Sequence, residues 1–359
     1  MKAPNRYFRP DWPQVPVYRT TASVSGATML HRNESAIQLP QALRDEILQR
    51  LAAQPWNRYP EISQNQLRDT AREALGLAAN LDVLFGNGSN EIIQSVLAAT
   101  IAPGDAVVIP QPTYAMYERV TRLRHGVPVF VPPRADLGLS IDQILDTARR
   151  SEARLVMLCR PNNPTGTCVS LDEVERLAAA ADCLLLVDEA YVEFAGDSAL
   201  DVAQRYENVI LSRTMSKALR CAGLRIGYAI GNAAIMESVG KAIAPYNLST
   251  AACEAAQVLL RERSGWLATC SRVAAERDRV RARLAHLPGA SVLPSHANFL
   301  CVRTPWPGTH LTERLAERRV MVRDLSGFPG LEDAVRITIG TADENDRMLQ
   351  AITDVWEVQ

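Results

Sequence analysis

Residues 183–188 read Cys183-Leu184-Leu185-Leu186-Val187-Asp188, five apolar residues in succession closed by a carboxylate. A strand with one face in water alternates apolar and polar residues, whereas a strand covered on both faces does not, so this run reads as an interior strand of a sheet. Runs of the same kind stand at Ala106 to Ile109, Val127 to Val131, Arg154 to Cys159, Asn208 to Ser212 and Arg225 to Ile230, with helical stretches between them. This alternation, from Asp82 to about Gly231, predicts an α/β fold: a mostly parallel central sheet with helices packed on both sides. Ligands of such sheets gather at the carboxyl ends of the strands, where Asp188 falls.

Beyond this region the elements are shorter. Arg261 to Leu287 reads as a charged helix with a break at Gly265. Ala297 to Val302, Val320 to Val322 and Val335 to Ile339 follow, with a closing helix from Asp343 to Trp356. These predict a smaller α+β domain that also collects the N-terminal segment, so that a large domain spans 36–255 and a small domain combines 1–35 with 256–359.

Composition removes several function classes. Hydrophobic residues at 47% and charged ones at 22% match soluble globular proteins, and no apolar run is long enough to span a bilayer. The N-terminus, MKAPNRYFRPDW, lacks the apolar stretch of a secretory signal, so the expected location is the cytoplasm. A net charge of −1 with dispersed arginines gives no basic field for nucleic acid. Seven cysteines (159, 168, 183, 221, 253, 270 and 301), with no Cys-x-x-Cys pair and only five histidines, support neither a disulfide framework nor a metal site.

Of the 39 basic residues only three are lysines: Lys2, Lys217 and Lys241. Where positive charge suffices this sequence uses arginine, so a surviving lysine raises a question of chemistry. An amine deprotonates and adds to a carbonyl; a guanidinium does not. Lys2 belongs to the terminus and Lys241 to an ordinary amphipathic stretch, which leaves Lys217.

Four further stretches are candidates, each with a plainer alternative. Gly86-Asn87-Gly88-Ser89-Asn90-Glu91 precedes an apolar helix, Ile92 to Ile101; glycines and free N–H groups there favour a phosphate, but an ordinary helix start reads the same way. Pro161-Asn162-Asn163-Pro164-Thr165-Gly166 is a turn, and one that can aim an asparagine inward from a strand end. Asp188, with Tyr191 three residues on, either caps a helix or answers a cation, such as a protonated pyridine nitrogen. Ser212-Arg213-Thr214-Met215-Ser216-Lys217, followed by Gly223-Leu224-Arg225, brings hydroxyls and an arginine beside the lysine; a solvated surface lysine is the alternative.

In order and spacing these stretches resemble fold type I pyridoxal-phosphate (PLP) enzymes and, within them, the histidinol-phosphate aminotransferase family. Matching segments begin at Tyr18 and include Asn33-Glu34, Arg58-Tyr59-Pro60-Glu61, Gly88-Ser89-Asn90-Glu91, Pro112-Thr113-Tyr114 and Asn162-Asn163-Pro164-Thr165-Gly166. They continue through Asp188-Glu189-Ala190-Tyr191, Ser216-Lys217, Ala222-Gly223-Leu224-Arg225, Ala244-Pro245-Tyr246, Asn298-Phe299 and Arg336-Ile337-Thr338-Ile339-Gly340.

The resemblance implies that Lys217 forms the internal aldimine with PLP and later moves a proton, and that Asp188 pairs with the pyridine nitrogen. It implies that Asn163 and Tyr191 bond the phenolic oxygen and that Tyr114 stacks on the ring. Ser89, Asn90, Ser216 and Arg225 would hold the phosphate. Tyr59 would reach that phosphate from the second subunit of a homodimer, so that each active site is shared. Arg336 and Arg323, with Tyr18, match substrate-binding positions; an ion pair of Arg323 with Asp324 or Asp333 is the local alternative.

The implied reaction is ping-pong transfer from histidinol phosphate to 2-oxoglutarate, giving imidazole acetol phosphate and glutamate, a step of histidine biosynthesis. An aromatic amino acid aminotransferase and a threonine-phosphate decarboxylase are alternatives built on similar sequences, and a PLP-binding regulator is the non-enzyme alternative. The sequence departs from the family pattern at His31-Arg32-Asn33-Glu34-Ser35, at Leu219-Arg220-Cys221 and at Asn90, where an acid is common. These departures bear on which amine is taken.

Overall fold

The computed structural model describes residues 7–17 and 24–357, so Tyr18 lies outside the described residues. After β1 (Thr28–Met29), helices α1 (Gln41–Ala52) and α2 (Asn65–Leu75) lead into β2 (Leu81–Asn87) and α3 (Ser89–Thr100). Then come β3 (Ala106–Pro110), α4 (Met116–Leu123), β4 (Val127–Val131), α5 (Ile141–Arg150), β5 (Leu155–Cys159), α6 (Leu171–Ala180) and β6 (Leu184–Asp188). Two short helices, α7 (Val192–Ala195) and α8 (Leu200–Arg205), precede β7 (Val209–Thr214) and β8 (Ile226–Asn232); α9 (Ala233–Gly240) and α10 (Thr250–Arg261) follow.

These strands form one seven-stranded sheet in the order β2-β8-β7-β6-β5-β3-β4. The pairs β3–β4, β3–β5, β5–β6 and β6–β7 are parallel, and β8 alone runs against its neighbours, β7 and β2. The interior strands show why the apolar runs do not alternate. Val156, Leu158, Leu185, Val187, Val209 and Leu211 enter the hydrophobic cluster on one face. Leu155, Met157, Cys159, Leu186 and Ile210 enter the cluster on the other. Each fully buried aliphatic side chain contributes about 1.5–3 kcal/mol, so covering both faces requires apolar residues at every position.

The sheet's edges obey different rules. In β4 both Val127 and Phe130 are exposed and Pro128 sits where a missing N–H is tolerated. At the opposite edge β2 has Asp82 on its less covered side, tied by Arg68 and by Arg72.

Several helices begin where a short polar side chain accepts a free N–H group. Ser140 caps α5, Ser170 and Glu173 form a capping box on α6, and Ser249 caps α10. The helix after Gly88 starts at Ser89, not at Ile92, so the polar residues Ser89, Asn90 and Glu91 form its first turn.

The remaining chain comprises α11 (Arg263–Leu284), β9 (Ser291–Val292), β10 (Phe299–Arg303), α12 (Gly308–Glu317), β11 (Val320–Met321), β12 (Arg323–Asp324), β13 (Ala334–Thr338) and α13 (Ala342–Glu357). An antiparallel sheet, β12-β13-β10-β9, packs with these helices around Leu300, Val302, Leu315, Ile337 and Ile352. β1 pairs in parallel with β11, which brings the segment before α1 to this body. The expected helix break at Gly265 is corrected: α10 ends at Arg261, the interruption falls at Glu262, and Gly265 lies within α11. A Cβ at Gly265 would stand 2.6 Å from Glu262 Oε1, so the Glu262 carboxylate closes over the first turn of α11, where the helix dipole favours it. Among the described residues no helix is long and apolar enough to cross a membrane.

Candidate active site

Strands β5, β6 and β7 end together, and the loops leaving them face the small antiparallel sheet across a cavity of about 400 Å³. Eleven of the residues singled out in the sequence line it: Ser89, Asn90, Tyr114, Asn163, Asp188, Tyr191, Ser216, Lys217, Arg225, Arg323 and Arg336. Tyr59 does not. It is 79% exposed and stacks on Tyr246 with ring centroids 4.5 Å apart.

Lys217 follows β7 after the turn Met215-Ser216, and its Nζ donates to the Arg32 carbonyl at 3.0 Å. Loss of water lowers its pKa to about 8, helped by the charges of Arg336 and Arg225 and opposed by Glu34. A far larger fraction of this amine is therefore unprotonated near neutrality than for an ordinary lysine.

Asp188, the last residue of β6, is buried. Its Oδ2 accepts from the Tyr117 hydroxyl at 2.8 Å and its Oδ1 from the Ala190 N–H at 3.1 Å. Burial pushes its pKa up to about 6 while both hydrogen bonds pull it back. Its hydrogen bonds thus favour the ionised, accepting form of a carboxyl that lines the cavity.

On the other side a chain of polar contacts links the two sheets. The Tyr191 hydroxyl accepts from Asn33 Nδ2 at 2.9 Å and from Asn163 Nδ2 at 3.4 Å. Arg336 Nη1 donates to Asn163 Oδ1 at 2.5 Å and Nη2 to the His31 carbonyl at 2.9 Å, with the guanidinium over the Phe299 ring. Thr338, two residues along β13, donates to Asn33 Oδ1 at 3.1 Å. Burial raises the Tyr191 pKa, so its hydroxyl keeps its proton and, already accepting twice, is left to donate.

The third part is a cationic cradle. Helix α3 starts at Ser89, and the residue before it, Gly88, has φ +76° and offers no side-chain cap. Arg225 Nη1 donates to Ser216 Oγ at 3.4 Å, and a Cβ on Gly88 would lie 2.3 Å from Arg225 Nη2. A helix N-terminus, a hydroxyl and a guanidinium meet where only glycine fits, a donor set chemically suited to a phosphate dianion. Tyr114 leans over the same space, its hydroxyl donating to Asn90 Oδ1 at 3.2 Å.

The aminotransferase class I and II family model matches residues 28–352 of the chain. The chain belongs to the class I and II aminotransferases. A histidinol-phosphate aminotransferase of Chlorobaculum tepidum is 37% identical over 346 residues, 96% of this chain and 99% of that protein. Among solved structures, histidinol-phosphate aminotransferase from Sinorhizobium meliloti in complex with pyridoxal 5'-phosphate superposes with a TM-score of 0.85 at 25% identity, over 92% of this chain and 91% of that one. The L-threonine-O-3-phosphate decarboxylase of Porphyromonas gingivalis shares the fold, with a TM-score of 0.80 at 24% identity over 91% and 99% of the two chains.

The cofactor of this aminotransferase is pyridoxal 5'-phosphate. Its site carries the donor set that cofactor demands: a weakly basic amine, a buried carboxylate, a phosphate cradle and two hydrogen-bond donors between them. Three residues of this aminotransferase's cavity or its immediate support had no role assigned from sequence. Asn33 and Glu34 lay in a matching segment without one, the Glu34 charge favouring a protonated Lys217, and Tyr117 was not singled out at all. The signal for Tyr117 was its place three residues after Tyr114, which puts both on one side of a helix start.

Proposed function

We propose that the enzyme transfers the amino group of histidinol phosphate to 2-oxoglutarate, in two half-reactions at one site, as a step of histidine biosynthesis. The observation that carries this is the entry of Arg323 and Arg336 into the Lys217 cavity apart from Arg225, which supplies cationic groups for a substrate anion besides those used by the cofactor's phosphate. Asp333 pairs with Arg303 at 3.0 Å, and Arg323 lines the cavity.

Bound PLP supplies an electron sink that acidifies the substrate's Cα–H. Lys217 would hold the cofactor through its Nζ, and the same amine would move the proton at the substrate's Cα. Asp188 would hold the ring nitrogen, Tyr191 and Asn163 would donate to the phenolic oxygen, and Tyr114 would lie against the ring. Ser216, Arg225 and the N–H groups of Ser89 and Asn90 would hold the phosphate. Arg336 and Arg323, with Tyr18 outside the described residues, take the substrate's anionic group. Tyr59, exposed beside Trp56 and Ile62, serves the partner's phosphate cradle in a homodimer.

The test is single-turnover conversion of the loaded enzyme with a panel of amines, followed by absorbance. Histidinol phosphate is expected to convert the cofactor faster than phenylalanine, with turnover strictly dependent on 2-oxoglutarate and no release of carbon dioxide. Equal rates with phenylalanine would refute the substrate assignment; acceptor-independent decarboxylation of phosphothreonine would favour the decarboxylase alternative.

A further inference from the structure

We propose that Tyr117 is a positioning residue of the cofactor site, its hydroxyl fixing the Asp188 carboxylate as the acceptor for the ring N–H. This rests on the reading of Asp188 as the partner of the ring nitrogen and deepens it.

Tyr117 is the second residue of α4 and is wholly buried, in the cluster of Ile92, Val96 and Val120 on one face of the large sheet. A buried tyrosine hydroxyl needs a partner, and here the partner is Asp188 Oδ2 at 2.8 Å. Burial and the neighbouring carboxylate both raise the Tyr117 pKa, so the phenol stays protonated and donates. With Ala190 N–H on Oδ1, each carboxylate oxygen has one donor and one free lone-pair direction, and rotation of the group is blocked.

The groups facing Asp188 are Tyr117 from α4, Cys159 from β5 and, along its own chain, Glu189 and Tyr191. None of these is a cation. Burial by itself favours the neutral acid, and a neutral carboxyl does not hold a ring nitrogen protonated; the hydroxyl of Tyr117 works against that drift. The same ring stands edge-on to Tyr114, with centroids 5.6 Å apart and planes at 89°. One buried side chain thus braces both the ring-stacking residue and the acid beneath it. The Tyr117 N–H donates to the Tyr114 carbonyl at 3.0 Å, which ties the two through the backbone as well.

The experiment uses full-length apoenzyme and two ligands: pyridoxamine 5'-phosphate, which binds without reacting with Lys217, and its analogue with C–H in place of the ring nitrogen. Tyr117→Phe keeps the ring and removes the donor. It is expected to weaken pyridoxamine 5'-phosphate about ten-fold at pH 7, the loss of one hydrogen bond to a charged acceptor. Because the donor lowers the Asp188 pKa, its removal raises that pKa; the deficit should widen below pH 7 and shrink above it. Affinity for the carbon analogue should not change.

In an Asp188→Asn background, where no ionised acid remains, Tyr117→Phe should have little further effect on either ligand. Equal weakening of both ligands by Tyr117→Phe, or no weakening of either, overturns the proposal, since a packing role predicts the first and no role the second. Failure of the unsubstituted protein to bind pyridoxamine 5'-phosphate more tightly than the carbon analogue removes the reading of Asp188 itself, and the proposal with it.

Discussion

At the scale of single residues the chemistry turns on the difference between an amine and a guanidinium. Lys217 sits where loss of water and two arginines depress its pKa to about 8, against 10.5 for an ordinary lysine. The amine reacts only when unprotonated, so covalent capture of PLP by the apoenzyme is expected to speed up as pH rises towards 8 and to level off above it. Arg336→Gln removes a charge that lowers this pKa and should move the midpoint up; Glu34→Gln removes one that raises it and should move the midpoint down. Stopped-flow absorbance across pH 6 to 10 measures all three, and a midpoint unmoved by either change would contradict the charge assignment. Lys217→Arg keeps the charge, but its guanidinium does not release a proton, so turnover should fall by about 10²–10⁴-fold or more. The sequence pointed to this lysine because arginine stands at 36 of the 39 basic positions, which leaves three lysines. It did not point to Tyr117, because a tyrosine in an apolar helix face looks the same whether its hydroxyl meets water, a carbonyl or a catalytic acid; only the folded neighbourhood separates these.

At the scale of elements the site depends on how closely β8 approaches the start of α3. A Cβ added to Gly227 would fall 2.2 Å from the Ser89 nitrogen, a backbone atom that has no side-chain freedom to yield. Gly227→Ala must therefore push the first turn of α3 away from the sheet. Overpacking of this kind costs on the order of 1–3 kcal/mol, and the displaced turn carries the N–H groups proposed for the phosphate. Both a lower Tm in the apoenzyme and a weaker hold on PLP are expected, measured by calorimetry and by equilibrium binding. Loss of stability with unchanged PLP affinity would mean that the cradle does not use this turn. The strands of the sheet interior were legible in the sequence to within a residue or two, since burial on both faces leaves an unbroken apolar run. β2 was not among them: its edge position, Asp82 and the alternation of buried and half-buried residues give it the look of ordinary chain. The first turn of α3 was missed for a related reason, because the polar residues Ser89 to Glu91 carry no apolar period.

At the scale of the whole molecule, one residue matched to the cofactor site is not in it. Tyr59 is exposed in the single chain, stacked on Tyr246 among other exposed apolar side chains, Trp56 and Ile62. A surface of that kind is what a subunit interface leaves bare in one protomer. If Tyr59 completes the partner's phosphate cradle, a subunit carrying Tyr59→Ala and a subunit carrying Lys217→Ala should each be impaired as homodimers. Mixed by unfolding and refolding in equal amounts, they form hybrids in half of the dimers. In a hybrid one site has both defects, and the other combines an intact Lys217 with an intact Tyr59 from the opposite subunit. Two-fold symmetry therefore predicts recovery of roughly a quarter of the native activity from two weakly active parents. If Tyr59 instead served its own subunit, every site in every dimer would lack one of the two residues, and mixing would restore nothing. Because Tyr59 is exposed in the single chain, its truncation should cost the isolated subunit little stability, which keeps the readout on the shared site.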